Sequence, residues 1–186
     1  MDSHSIHIRE FRFPEDYEHV HQLWEAMEKG VRVGRSDTLA EVEKKIARDP
    51  DLFLVAEHAE KIIGSVIGGF DGRRGLLYHL AVAKEFRGQG IGTSLLNEVE
   101  SRLRAKGCLK CYLMVTPEND EAAQYYEQHG WHLMDYVRPY GKDLQKELVA
   151  AFRKQGIAIG FYFSPDDFLW LYKNNKPLHP APHPGV

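Results

Sequence analysis

Residues 79 to 106, His79-Leu80-Ala81-Val82-Ala83-Lys84-Glu85-Phe86-Arg87-Gly88-Gln89-Gly90-Ile91-Gly92 and onward to Lys106, decide how the rest of the chain is read. A short apolar strand runs into a basic, glycine-rich turn. The turn opens a helix whose apolar positions, Ile91, Leu95, Leu96, Val99 and Leu103, recur at helical spacing. Gly88, Gly90 and Gly92 let the backbone come close to a ligand and turn its N–H groups inward. The helix that starts there adds unpaired donors and the positive end of its dipole. Arg87 and Lys84 are expected to supply full charge beside them. Each charge-assisted hydrogen bond in such a loop contributes roughly 1.5–3 kcal/mol, and the dipole about 0.3–2 kcal/mol. Main chain alone can therefore carry most of the grip on a pyrophosphate, and the stretch predicts a ligand with phosphates.

Two common phosphate loops are excluded by what is missing. A P-loop needs Gly-Lys-Ser/Thr, so that a lysine reaches the terminal phosphates and a hydroxyl holds magnesium; here Thr93 and Ser94 follow Gly92 with no lysine. A dinucleotide fingerprint needs G-x-G-x-x-G, and Gly88-x-Gly90-x-x-Thr93 lacks the last glycine.

Arg87-Gly88-Gln89-Gly90-Ile91-Gly92 does resemble the coenzyme A loop of the GNAT N-acetyltransferase superfamily, Gln/Arg-x-x-Gly-x-Gly/Ala between a strand and a long helix. A second motif follows downstream: Asn119, then Ala122-Ala123, then Tyr125-Tyr126-Glu127-Gln128-His129-Gly130-Trp131. It is similar to the family's Asn, small-residue, Tyr-x-x-x-Gly-aromatic segment. Within the superfamily, Leu52 to Glu57 and Gly69 to Gly75 resemble the small bacterial YpeA-type members. The resemblance runs from residue 6 to about 144. It implies an α/β fold: a mixed, mostly antiparallel twisted sheet with helices on both faces. It also implies acetyl-CoA as cosubstrate, held by Leu80, Ala81, Val82, Arg87, Gly88, Gln89, Gly90, Ile91, Gly92, Thr93 and Asn119. The strand Leu80-Ala81-Val82 resembles the one whose backbone pairs with the pantetheine arm.

The bounds agree with one such domain and an addition. A chain of 186 residues is long enough to bury a core without metal or disulfide. With 24 Lys and Arg against 27 Asp and Glu, the formal charge of −3 gives no basic field for nucleic acid or an anionic membrane. No run of 18 apolar residues exists, and Met1 to Ser5 lacks a signal peptide's regions, so a cytoplasmic protein is expected. Cys108 and Cys111 form a C-x-x-C without the further ligands that zinc would want, and are read as small apolar residues entering a strand. No metal is expected.

In chain order, Ile6 to Phe13 alternates as a strand, and Pro14-Glu15-Asp16 opens a helix carrying Val20, Leu23, Trp24 and Met27. Val31 to Asp37 is a loop that lies, in the resembled fold, over the acceptor side. Arg32 and Arg35 are candidates there for a substrate carboxylate. Thr38-x-x-Glu41 has the form of a capping box before a helix with Leu39, Val42 and Ile46 on one face. Leu52 to Ala56 and Ile62 to Phe70 read as an antiparallel pair, in which Gly64, Gly68 and Gly69 suggest bulges or close approach of another backbone. Gly75 leads into the strand ending at Val82, Gly107 caps the long helix, and Leu109 to Val115 reads as a central strand. Thr116 to Asn119 then turns into a helix through Gln128.

By resemblance a neutral amine attacks the acetyl carbonyl in a ternary complex, main-chain N–H stabilises the oxyanion, and Tyr126 protonates the departing thiolate. Trp131 replaces the usual phenylalanine. The places where some members carry a glutamate base correspond to Leu76 and Met114, which take no proton. Tyr78, His79 or a water chain are left as substitutes, and Tyr78 is also a candidate substrate contact. At pH 7 a lysine amine is neutral in roughly one molecule in 2,500 and an α-amine in about one in five to ten, so a site without an obvious base leans toward an amine of low pKa.

Residues 145 to 186 form an extension: helical character up to Arg153, a strand from Gly156 to Ser164, a short helix after Pro165, and a proline-rich tail. An apolar strand of this kind should be paired, at the edge of the domain's sheet or, preferably, across a homodimer. Two other classes stay open beside the enzyme: an acyl-CoA sensor without turnover, and an interaction module built on the extension.

Overall fold

The structure, a computed structural model, describes residues 5–134 and Lys154. The chain divides into two compact units, 1–133 and 134–186. The helix, strand, short helix and tail expected in 145–186, and their pairing at a sheet edge or dimer, lie outside the described residues.

Strand β1 is His7–Glu10, shorter than the alternation suggested. Phe11 leaves the strand but stays bound to it, its amide donating to the Phe53 carbonyl at 2.9 Å and its ring stacked on Phe53 at 4.2 Å. Helix α1, Tyr17–Glu25, buries Val20, Leu23 and Trp24. It is tied to β1 through Asp16, which accepts from the Arg9 guanidinium at 2.5 Å and the Arg12 amide at 2.7 Å.

Helix α2 is Leu39–Arg48. The capping box expected at Thr38 does not form, since Thr38 makes no side-chain cap. The turn before it, Arg35–Asp37, is closed instead by Asp37, whose carboxylate accepts the Gly34 amide at 2.7 Å. The Thr38 carbonyl takes the amides of Glu41 and Val42. On this helix Val42 is buried and Ile46 half-buried, while Leu39 is exposed, against the face expected for it.

Strands β2, Phe53–His58, and β3, Lys61–Phe70, are joined by Ala59-Glu60, both at positive φ (47° and 61°), the twist that two-residue hairpins favour. Strand β4 is Gly75–Val82, helix α3 is Ile91–Ala105, β5 is Cys111–Leu113 and α4 is Asp120–Gln128. The sheet order is β1-β2-β3-β4-β5, antiparallel except for the parallel pair β4–β5. The mixed, mostly antiparallel sheet implied by the family resemblance is therefore present. Alternation along β2 sends Leu54 and Ala56 to the α3 face and Phe53 and Val55 to the α1 face, and all four are fully buried.

All five apolar positions read on α3 are buried, each contributing about 1.5–3 kcal/mol of transfer free energy. The helix lies close because two β3 glycines admit it. A β-carbon on Gly64 would stand 3.0 Å from Leu95 Cδ1, and one on Gly68 only 2.8 Å from Val99 Cγ2. Gly107, at φ +82°, ends α3, with the Cys108 amide returning to the Leu103 carbonyl.

Two bulges interrupt the ladders. In β3, Ile63 is the extra residue beside Gly64, since Ala56 faces Gly64 and Glu57 faces Ile62, and a β-carbon on Gly64 would also stand 3.2 Å from the Ala81 carbonyl. The second bulge lies in β4, away from any glycine. Ile67 faces Tyr78 and Ser65 faces Ala81, so His79 and Leu80 together oppose Val66. His79 has φ +54°. Strand β5 also departs from the expected central run of Leu109 to Val115. It pairs with β4 only from Gly75↔Cys111 to Leu77↔Leu113 and lies at the edge of the described sheet. Where the β4 bulge begins, the parallel ladder ends and the two chains part. Cys108 and Cys111 are free and half-buried at the entry to β5, and burial pushes the Cys111 thiol up to about 11.

Candidate active site

The parting of β4 from the segment after Leu113 opens a cavity of about 630 Å³. One wall is Leu77 to Leu80 with Val82, the other Leu113 to Thr116. The glycine loop closes one end and α4 lies alongside with Asn119, Tyr125 and Tyr126.

The loop has the build expected of it. After a short turn at Lys84–Phe86, Gly88 and Gly90 adopt φ +75° and +78°, and Gly90 is the residue from which α3 starts. A β-carbon at either would meet nothing within 4 Å, so the backbone angle, not crowding, asks for glycine there. Gly92 is different: a β-carbon on it would lie 3.3 Å from the Tyr125 hydroxyl, so its bareness makes room for α4. The charges beside the loop are engaged by protein. Lys84 pairs with Glu28 at 2.9 Å and is absent from the cavity wall, against expectation. Arg87 lines the cavity but donates to the Val82 carbonyl at 3.1 Å and to Met27 sulfur at 3.5 Å, bracing the turn against β4.

Of the residues singled out from the sequence, Tyr78, Leu80 and Val82 reach the wall, as do Gly88, Gly90, Ile91, Gly92 and Thr93. Asn119 and Tyr126 line it too, together with Arg87 and His79. Ala81 faces the α1 core and is 1% exposed, and Gln89 turns back to the Glu85 carbonyl at 3.4 Å. Arg32 pairs with Glu118 at 3.1 Å on the surface, and neither it nor Arg35 lines the cavity. Met114 lines it and Leu76 does not.

Helix α4 starts at Asn119, whose side chain accepts the Ala122 amide at 3.3 Å. Burial, reinforced by Tyr125, pushes the Tyr126 phenol up to about 12. Its hydroxyl has no hydrogen-bond partner among the described residues, so it is neutral at working pH and available to whatever enters. Tyr125 is raised too, chiefly by burial. The Thr93 hydroxyl lies 2.9 Å from His129 Nε2 and 3.4 Å from the Tyr125 hydroxyl, a link from α3 to α4 that no local pattern signalled. Trp131 donates its indole N–H to Glu100 at 3.0 Å, a bond that phenylalanine cannot make.

The residue pair the sequence left out is Asp37 with His79, 2.9 Å apart between Oδ1 and Nε2. Asp37 was read only as the end of a loop, and His79 only as one of several substitutes for a missing base. Among the described residues no cluster of three or more His, Cys, Asp or Glu is placed to hold a metal ion, and no helix is long and apolar enough to cross a membrane.

Comparison with known proteins converges on this arrangement. An acetyltransferase of Sodalis glossinidius is 41% identical over 139 residues, covering 75% of this chain and 96% of its own. Among solved structures, Ard1 of Thermoplasma volcanium superposes with a TM-score of 0.61 at 26% identity, over 69% of this chain and 84% of that one. The PaiA N-acetyltransferase of Thermoplasma acidophilum, determined in complex with coenzyme A, superposes at 0.62 with 24% identity, over 70% and 92%. Residues 12–131 match the sequence profile of the acetyltransferase (GNAT) family. The splayed sheet, the glycine loop and these relatives together place the chain in the GNAT family of acetyltransferases.

Proposed function

We propose that this protein moves the acetyl group of acetyl-CoA to a primary amine by direct attack within a ternary complex, without an acyl-enzyme. One observation carries the reading: a phosphate-type glycine loop and a half-buried, neutral tyrosine open into the same cavity between β4 and the segment after β5. The positive end of α3 and the amides around Gly88 and Gly90 suit the pyrophosphate. The slot between the strands suits the pantetheine arm, and Tyr126 lines it. A PaiA relative of the same fold holding coenzyme A supports the donor.

The amine nitrogen forms its bond to the carbonyl carbon, and the carbonyl electron pair moves to oxygen. As the carbonyl re-forms, the C–S bond breaks and sulfur leaves with the pair, taking the Tyr126 proton, while the surplus proton leaves the amine nitrogen and, through solvent, one returns to the phenolate. A phenol near 12 is a weak acid beside a thiol near 8.5 in water. A thiol enclosed beside Tyr126 is raised as well, since burial penalises either anion, and that brings the two nearer to balance.

The experiment is thermal unfolding with and without acetyl-CoA, followed by turnover of Tyr126→Phe. Ligand at a hundred times its dissociation constant adds about 2.7 kcal/mol, or roughly 5–11 °C for a domain of this size. Tyr126→Phe should keep that shift and lose about 10²- to 10⁴-fold in kcat/KM. Absence of a shift in the parent would remove the donor, and full activity in Tyr126→Phe would remove the acid.

A further inference from the structure

We propose that His79 is the general base of this site and that Asp37 is its positioning residue; the assignment rests on the acetyl-transfer reading above.

The backbone is the first observation. His79 sits at φ +54° within the β4 bulge, a conformation that costs a side-chain-bearing residue energy and is kept only where surrounding structure enforces it. Successive strand residues ordinarily point to opposite faces. Here the bulge brings the rings of Tyr78 and His79 to 5.5 Å of one another. The strain therefore has a product: an imidazole delivered beside Tyr78 at the wall of the cavity, where the β4–β5 pairing has just ended.

The second observation is how firmly the ring is held. Trp24 meets it edge-on at 4.6 Å, and Ser65 donates to its backbone carbonyl at 3.3 Å. Its Nε2 lies 2.9 Å from Asp37 Oδ1. Asp37 is itself anchored, with its second carboxylate oxygen accepting the Gly34 amide at 2.7 Å and its carbonyl accepting the Tyr17 hydroxyl at 3.0 Å. Both side chains are largely out of solvent, 15% exposed for His79 and 7% for Asp37.

The third is the tautomer this imposes. Burial pushes the Asp37 carboxyl up, but the hydrogen bonds from His79 and the Gly34 amide outweigh it and hold the group below the usual range. An ionised carboxylate only accepts, so Nε2 carries the proton and Nδ1 carries the lone pair. Nδ1 has no hydrogen-bond partner among the described residues. A base oriented by a buried carboxylate through its far nitrogen is the logic by which an imidazole is kept in one tautomer for proton abstraction.

The atoms balance. As the neutral amine bonds to the acetyl carbon, its nitrogen holds a surplus proton, which moves to His79 Nδ1. Sulfur leaves with the C–S pair and takes the Tyr126 proton, and exchange with water returns the imidazolium and phenolate to rest. The sum is amine plus thioester to amide plus thiol. The titratable groups bearing on the dyad are Tyr78 on the same strand, His21 of α1, which acts on Asp37, and Asp49, which acts on Tyr78.

The test uses the full chain with acetyl-CoA and three primary amines of falling basicity: ethylamine, glycinamide and 2,2,2-trifluoroethylamine. The variant is His79→Asn, because asparagine tolerates a left-handed backbone, and an unchanged acetyl-CoA thermal shift reports that its donor site is intact. Expected are a loss of about 100-fold or more in kcat/KM for ethylamine at pH 7, a smaller loss for trifluoroethylamine, and disappearance of the acid limb from the pH profile taken with trifluoroethylamine. Asp37→Asn, which removes the carboxylate that fixes the tautomer, should lower kcat while leaving the acetyl-CoA thermal shift unchanged, and Asp37→Glu should restore part of the rate. Retained transfer in His79→Asn with the limb unchanged overturns the base alone. A parent protein that binds acetyl-CoA and acetylates none of the three amines overturns the transfer reading and the base with it.

Discussion

The indole N–H of Trp24 donates a 2.9 Å hydrogen bond to Ser65 Oγ, wholly inside the protein, and the same hydroxyl donates to the His79 carbonyl at 3.3 Å. One serine thereby joins α1 to the bulged turn of β4. Ser65→Ala would leave a buried indole N–H without its acceptor, a cost of about 1–3 kcal/mol. Denaturant unfolding should register that loss with an unchanged m-value, and activity should fall as His79 loses its backbone anchor.

Gly68 and Val99 make a second test of how closely α3 sits. A β-carbon on Gly68 would lie 2.8 Å from Val99 Cγ2, with the Leu52 carbonyl at 3.5 Å behind it. Gly68→Ala should therefore cost about 1–3 kcal/mol by overpacking. Val99→Ala alone should also destabilise, by leaving a void. The double variant should be more stable than the sum of the two losses predicts, and a double-mutant cycle in urea measures the difference. Simple additivity would mean that the helix moves and does not clash.

Trp131 gives a milder prediction. Its ring packs beside Tyr126 with centroids 6.1 Å apart, while its N–H reaches Glu100. Trp131→Phe keeps the packing and loses the bond, at about 0.5–1.5 kcal/mol. Trp131→Ala should be worse and should loosen Tyr126, raising KM for acetyl-CoA as well as lowering Tm.

Acid stability follows from Asp16. Burial pushes its carboxyl up, but the Arg9 guanidinium and the Arg12 amide outweigh this and hold it below the ordinary carboxylate range. A group whose folded pKa is depressed contributes stability above its unfolded value and loses it as pH falls through the folded value. The loss should begin near the ordinary aspartate value of about 3.9 and grow below it. Asp37 adds to it in the same direction. Asp16→Asn should be less stable at pH 7 and show a flatter decline between about pH 4 and 2, read from urea midpoints across that range.

What could be read locally and what could not divide along a physical line. The glycine loop, the five buried positions of α3, the Gly107 cap and the Asn119 start of α4 were legible in the chain. Helical period, left-handed backbone angles and capping operate within a few residues of one another. The glycine loop and the segment from Asn119 to Trp131 carried the resemblance to the GNAT family that the comparisons bear out. The tertiary structure decided that Asp37 meets His79 across 42 positions, Trp24 meets Ser65 across 41, and Thr93 meets His129 across 36. It also decided that one of the two bulges falls at His79, away from any glycine, and that Lys84 pairs with Glu28. Such partners depend on strand register and on where loops close, and a one-residue change of register would send His79 to another face. The glycine loop was thus written in local sequence, whereas the Asp37–His79 pair proposed as base and positioning residue was assembled only when the sheet found its register.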